Sequence, residues 1–129
     1  MRHQIRIARR LGRGFACALI ALAGIACGDT GMCENTSQVE IPSPDGKFAA
    51  WVFIRACGAT TLSSVHVSVV PAGSPAPHES GNAFVLEPVA ALEVKWPAER
   101  ELSISRPAGG HVIEQQPRVG EIAVTYAIE

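Results

Sequence analysis

Apolar and polar residues alternate with a period of two through most of the chain beyond residue 37, and no stretch there carries the 3.6-residue period of an amphipathic helix. The clearest stretch follows Ser43-Pro44-Asp45-Gly46. There proline presets φ, aspartate can bond to the backbone ahead of it, and glycine accepts a positive φ, so the four residues predict a tight turn. From Lys47 to Cys57 the even positions Phe48, Ala50, Val52, Ile54 and Ala56 are all apolar, which predicts a strand with its even side in the core. The odd side mixes Lys47 and Arg55 with Trp51 and Phe53. Two large aromatics there require either cover from a second layer or the long loop, or use as a partner surface formed by Trp51, Phe53 and Arg55.

The same reasoning extends along the chain. Gln38 to Ile41, with Val39 and Ile41 on one face, predicts a short first strand that Pro42 confines to a sheet edge or ends. In Ser63 to Val70, Val65, Val67 and Val69 point one way and Ser64, His66 and Ser68 the other, a half-buried strand with its polar side in solvent. Pro71 to Asn82 is rich in proline, glycine and serine and reads as an exposed loop carrying His78. Ala83 to Val89 is a strand around Phe84 and Leu86, interrupted by Pro88. Leu92 to Trp96 and Glu101 to Ser105 alternate on either side of a turn at Pro97 to Arg100, a hairpin that puts Leu92, Val94, Trp96, Leu102 and Ile104 on one face. His111 to Glu114 and the run Ile122, Val124, Tyr126, Ile128 complete the series. The fold class is therefore all-β: a single small antiparallel domain over residues 38–129, a sandwich or meander of about six to eight strands.

The first 26 residues follow a different logic. An arginine-rich segment through Arg13 precedes twelve apolar residues from Phe15 to Ala26 and then small residues, the order of an export signal. A membrane span needs about 20 apolar residues, so this stretch is too short to be one. Residues 1–26 are read as a signal peptide and 27–37 as an anchor and tether without regular structure. Asn35-Thr36-Ser37 matches a glycosylation sequon, which the bacterial character of the signal discounts.

Gly24-Ile25-Ala26-Cys27 resembles the bacterial lipobox, which implies acylation of Cys27 as the mature N-terminus. Ordinary cleavage after Ala26 or Gly28 meets the same small-residue requirement and leads to a soluble periplasmic form. Cysteine arithmetic bears on the choice. Cys17 leaves with the signal, so Cys27, Cys33 and Cys57 remain, an odd number for an oxidising compartment. Acylation of Cys27 removes the odd one and leaves Cys33 and Cys57 to pair, closing a loop of about 25 residues for roughly 3.5 kcal/mol on the chain-entropy estimate.

Charge narrows the partners. Beyond residue 13 six basic side chains face twelve acidic ones, a net of −6. Nucleic-acid binding needs clustered Lys and Arg, and here they are few and scattered, so no nucleic-acid partner is expected.

Two wider resemblances rest on quoted residues. SPDGKFAAWVF at Ser43 to Phe53 is similar to the repeat that opens a blade of TolB-type β-propellers, although the chain is too short for a propeller. SPDGK followed by an apolar strand and CGATT at Cys57 to Thr61, then Gly81-Asn82-Ala83-Phe84 and the LEVKW strand, resembles a group of small uncharacterised bacterial exported proteins of lipoprotein type. That resemblance implies a shared fold and brings no activity or catalytic residue with it.

Catalytic motifs are not found. His3, His66, His78 and His111 lack the close spacing of a zinc site, so no metal site and no cofactor are expected. Glu99 and Glu101 flank a hairpin turn, where carboxylates are usually solvated, and Ser63 or Ser64 beside Thr60 and Thr61 has no visible base. His66 is read as a surface histidine. The expectation is an exported cell-envelope protein, a lipoprotein with a non-enzymatic accessory or binding role toward an envelope protein or ligand. The alternatives are a periplasmic or secreted inhibitor of a basic enzyme such as a lysozyme, or an unrecognised enzyme.

Overall fold

The computed structural model describes residues 32–129, so the export signal, Cys17 and Cys27 lie outside the described residues. The described chain is all-β, with nine strands and no helix. They are β1 (Glu34–Pro42), β2 (Phe48–Ala56), β3 (Ser64–Pro71), β4 (Phe84–Glu87), β5 (Glu93–Ala98), β6 (Glu101–Arg106), β7 (His111–Gln115), β8 (Arg118–Val119) and β9 (Ile122–Ile128). A five-stranded sheet has the order β1-β2-β3-β4-β7, and a four-stranded sheet the order β5-β6-β9-β8.

The two sheets pack face to face because each has one continuous apolar side. Phe48, Ala50 and Val52 of β2, with Val65, Val67, Val69, Phe84 and Leu86, meet Leu102, Ile104, Ile122 and Val124 of the smaller sheet. Leu92, Val94, Trp96 and Tyr126 pack around this centre, as the alternation requires. Each fully buried Phe, Leu, Ile or Val contributes about 1.5–3 kcal/mol of transfer free energy, so these side chains dominate the fold's stability.

Several boundaries move. β1 begins at Glu34, so Glu34 to Ser37, expected to be tether, is strand paired with β2, from Glu34 opposite Ala56 to Thr36 opposite Ile54. The register shifts between Thr36 and Val39, and Ser37 takes the left-handed φ of 52° at that bulge. Pro42 is the last residue of this edge strand. Pro97, expected in the turn, lies inside β5, which is itself an edge, where the missing N–H breaks no ladder bond.

The strand count exceeds the expected six to eight partly because of the two-residue β8, and the sheets are not wholly antiparallel: β6 pairs with β9 in parallel, Leu102 opposite Val124 and Ile104 opposite Tyr126. The chain leaves β6, crosses to the larger sheet as β7, and returns through β8, so β9 arrives running the same way as β6.

The expected Ser43 turn closes one end of the sandwich. Ser43 N donates to Phe48 O at 2.9 Å, Phe48 N to Ser43 Oγ at 3.1 Å, and Gly46 adopts the expected positive φ of 71°. Asp45 Oδ1 accepts from Ser43 Oγ at 2.8 Å and from Lys47 N at 3.1 Å. Arg100, from the β5–β6 turn, donates to Asp45 Oδ2 and Glu121 Oε1, each at 2.9 Å, and lies 4.9 Å over the Phe48 ring, clasping the two sheets. Partial desolvation pushes the Asp45 carboxyl up, but the Lys47 N–H, the Ser43 hydroxyl and Arg100 outweigh it and hold it at about 2.

Candidate functional site

His66 departs most from its expected place. Its side chain shares the outer face of the larger sheet with Trp51, Phe53 and Ser68, yet it is only 3% exposed. The cause is the segment 72–82, which is largely exposed as expected, His78 included, yet lies over this face as a strap and covers it with its inner side. Gly81 N donates to His66 Nδ1 at 2.8 Å, and Asn82 N donates to Ser68 Oγ at 3.2 Å. The Asn82 side chain mimics a strand, accepting from Val69 N at 2.8 Å and donating to Val69 O at 2.9 Å. Farther along, Asn35 Nδ2 donates to Pro77 O and Glu79 O, Gln38 Nε2 donates to Pro77 O, and Arg55 Nη1 donates to His78 O at 3.0 Å and to Asn35 Oδ1 at 2.7 Å.

These contacts settle where the aromatic face goes. Phe53 is 1% exposed and stacks on the His66 ring at a centroid distance of 5.2 Å. Arg55 holds the strap. Trp51 is half-buried, and its indole N–H is buried without a hydrogen-bond partner among the described residues. Of the three residues considered as a partner surface, Phe53 is therefore core and Arg55 is engaged within the fold. The sequence assigns Asn35, Gln38 and Asn82 no part in holding a strap; for Asn82 the Ser80-Gly81-Asn82 run before β4 is a local signal of a turn, and for Asn35 and Gln38 there is none.

The hydrogen bonds fix what His66 can do. Because Nδ1 accepts from a backbone N–H, the ring proton sits on Nε2, which donates to Ser64 Oγ at 2.8 Å. A serine nucleophile needs the reverse arrangement, with a ring lone pair facing the hydroxyl. Burial and the nearby Arg55 charge push the imidazole down to about 4, so the ring is neutral at pH 7. His78 and His111 are not clustered with other ligating side chains: among the described residues no three His, Cys, Asp or Glu side chains are grouped to hold a metal ion. Glu99 and Glu101 are exposed at the hairpin turn. His3 lies outside the described residues.

Two of the open features on the described surface bear on binding. The first is β1, a nine-residue edge strand whose outer side no other described strand pairs, with Glu34, Val39 and Glu40 exposed. The second is a groove of about 390 Å³ at the end of the sandwich opposite the Arg100 clasp; Val52, Ile54 and Val65 line one side and Val89 to Leu92 the other. Cys33 and Cys57 are joined at this end, with an S–S distance of 2.10 Å across a sequence separation of 24.

Cations are largely committed within the domain. Arg55 and Arg100 are bonded as above, Lys95 pairs with Glu93 at 3.1 Å, and Arg106 donates to the carbonyls of Pro107 and Gly109. Comparison with known protein families, with curated proteins and with solved structures finds no match for the chain.

Proposed function

We propose that the chain is an exported cell-envelope protein, anchored through an acylated Cys27, whose role is non-enzymatic: it binds an extended, Lys- or Arg-bearing segment of an envelope protein along the open edge of β1. The observation that carries this reading is the outer edge of β1, which no other described strand pairs; it is bulged at Ser37, with Ile41 O taken by Trp96 Nε1, and it bears Glu34 and Glu40 and no basic side chain. Edge addition draws affinity from main-chain hydrogen bonds and specificity from the side chains beside them. Most cations of the domain are used internally, so the acidic excess is what a partner meets, and charge complementarity favours a basic one.

The same excess supports a second reading, in which the basic partner is itself an enzyme such as a lysozyme and β1 serves an inhibitor.

Photocrosslinking from a benzoylphenylalanine placed at Val39 in the native host tests both. One dominant adduct should form, and Glu34→Lys with Glu40→Lys should abolish it while leaving the thermal melt unchanged. An adduct indifferent to the charge reversal, or none, overturns the edge-binding proposal. If the adduct is a muralytic enzyme, titrating the purified protein into its assay should suppress activity, and unaltered activity removes the inhibitor reading. Intact mass checks the anchor: the mature chain should begin at a triacylated or diacylated Cys27, and an unmodified N-terminus removes the lipoprotein.

A further inference from the structure

Of the six large apolar side chains that are well exposed among the described residues, Met32, Leu62, Val89 and Ile128 sit at one end of the sandwich. The register places them there. β2 ends at Ala56 opposite Glu34, and β3 begins opposite Arg55, so the turn carrying Leu62 lies beside the start of β1. The short link 88–92 from β4 to β5 and the end of β9, where Glu129 N donates to Arg106 O at 2.9 Å, close the same pole. Met32 and Leu62 are each 62% exposed, and the Cys33–Cys57 bridge ties their segments together. The apolar groove between the sheets opens here, whereas the opposite end is sealed by Arg100, Asp45 and Glu121.

We infer that this pole is a membrane-docking surface, with Met32 and Leu62 entering the interfacial layer of the bilayer that holds the acylated Cys27. The inference rests on the lipoprotein reading above. Its argument is the length of chain left outside the described domain. Cys27 lies five positions before Met32, and five extended residues span at most about 18 Å, so the domain is held near the lipid by the end that carries its exposed apolar side chains. The charges at this pole select the lipid. Glu34, Glu87, Glu93 and Glu129 outnumber Arg55 and Arg106 there, so the surface suits zwitterionic headgroups and is repelled by anionic ones. Docking this way also leaves β1, which runs from the pole toward the clasp, approachable from the side.

Tryptophan quenching in vesicles tests the inference with the full, membrane-processed protein. Leu62→Trp places the probe at the pole, and Lys47→Trp places a control beside the clasp; both positions are exposed, so folding is unaffected. In vesicles of chain-brominated phosphatidylcholine the signal added by Leu62→Trp should fall by about half, as for a side chain about 5–10 Å into the headgroup and acyl boundary, while the Lys47→Trp variant should be quenched no more than the wild type. Adding phosphatidylglycerol should weaken the quenching. Equal behaviour of the two variants on a protein whose mass shows acylated Cys27 overturns the docking surface alone. An unmodified N-terminus by mass overturns the lipoprotein reading and this inference with it.

Discussion

At the scale of single residues, the neutral His66 ring makes stability depend on pH. The imidazole is near 6.5 when unfolded and about 4 in the fold, so between these values the unfolded chain binds a proton that the native state refuses. The contribution is therefore intact above pH 6.5 and is lost as pH falls toward 4, by up to about 3 kcal/mol. Urea melts at pH 7.5 and 4.5 should show that loss, and His66→Gln, which accepts from Gly81 N without titrating, should flatten most of it. A profile unchanged by the substitution would mean that other groups carry the acid sensitivity; Asp45, held at about 2, acts only below about pH 4.

Its neighbours Phe53 and Trp51 separate two costs. Phe53→Ala opens a cavity under the strap and should cost about 3–5 kcal/mol. Trp51→Phe gives up some apolar contact but also removes a buried N–H with no partner, a group whose desolvation costs about 1–3 kcal/mol. The two effects oppose, so the melt should move by under about 1 kcal/mol. A large loss would show that the indole N–H is satisfied in solution.

At the scale of elements, the strap depends on one backbone approach. A Cβ on Gly81 would lie 2.7 Å from Val67 O and 3.0 Å from Phe84 O, both backbone atoms that the sheet holds in place. Gly81→Ala must push the strap outward and lengthen the Gly81 N to His66 Nδ1 bond. The expected loss is about 1–3 kcal/mol, as for overpacking, with faster amide exchange across residues 78–82 read by NMR. Retained protection there would refute a close-fitting strap. The strap was not legible from the sequence. Its composition says only that the segment is not a strand, and the polar row Ser64, His66, Ser68 is equally compatible with water or with a covering segment that bonds to it.

At the scale of the whole molecule, the disulfide and the clasp secure opposite ends. Cys33→Ala with Cys57→Ala should lower stability by roughly 3.5 kcal/mol through the freed unfolded chain, read by denaturant melts of protein exported to an oxidising compartment. A double variant as stable as the wild type would show that the bridge does not form there. The loss is large against the roughly 5–15 kcal/mol typical of a domain.

Local pattern alone yields the class, the turn at Ser43 to Gly46 and the apolar side of each strand, because alternation along a strand reports directly which side is apolar; it does not show where along a row burial stops, as at Ile128, which is exposed. The sequence also singled out Cys33 and Cys57, since the count left few pairings. Only the tertiary structure decided the strand order, the parallel β6–β9 pair, the extension of β1 to Glu34 and the burial of His66. Each of these depends on contacts between segments far apart in the chain. Asn35 meets Pro77 and Trp96 Nε1 meets Ile41 O across separations of 42 and 55 residues, and no local period encodes such a meeting. A polar side chain reveals that it needs a hydrogen-bond partner, and only the folded chain decides whether that partner is water or its own backbone.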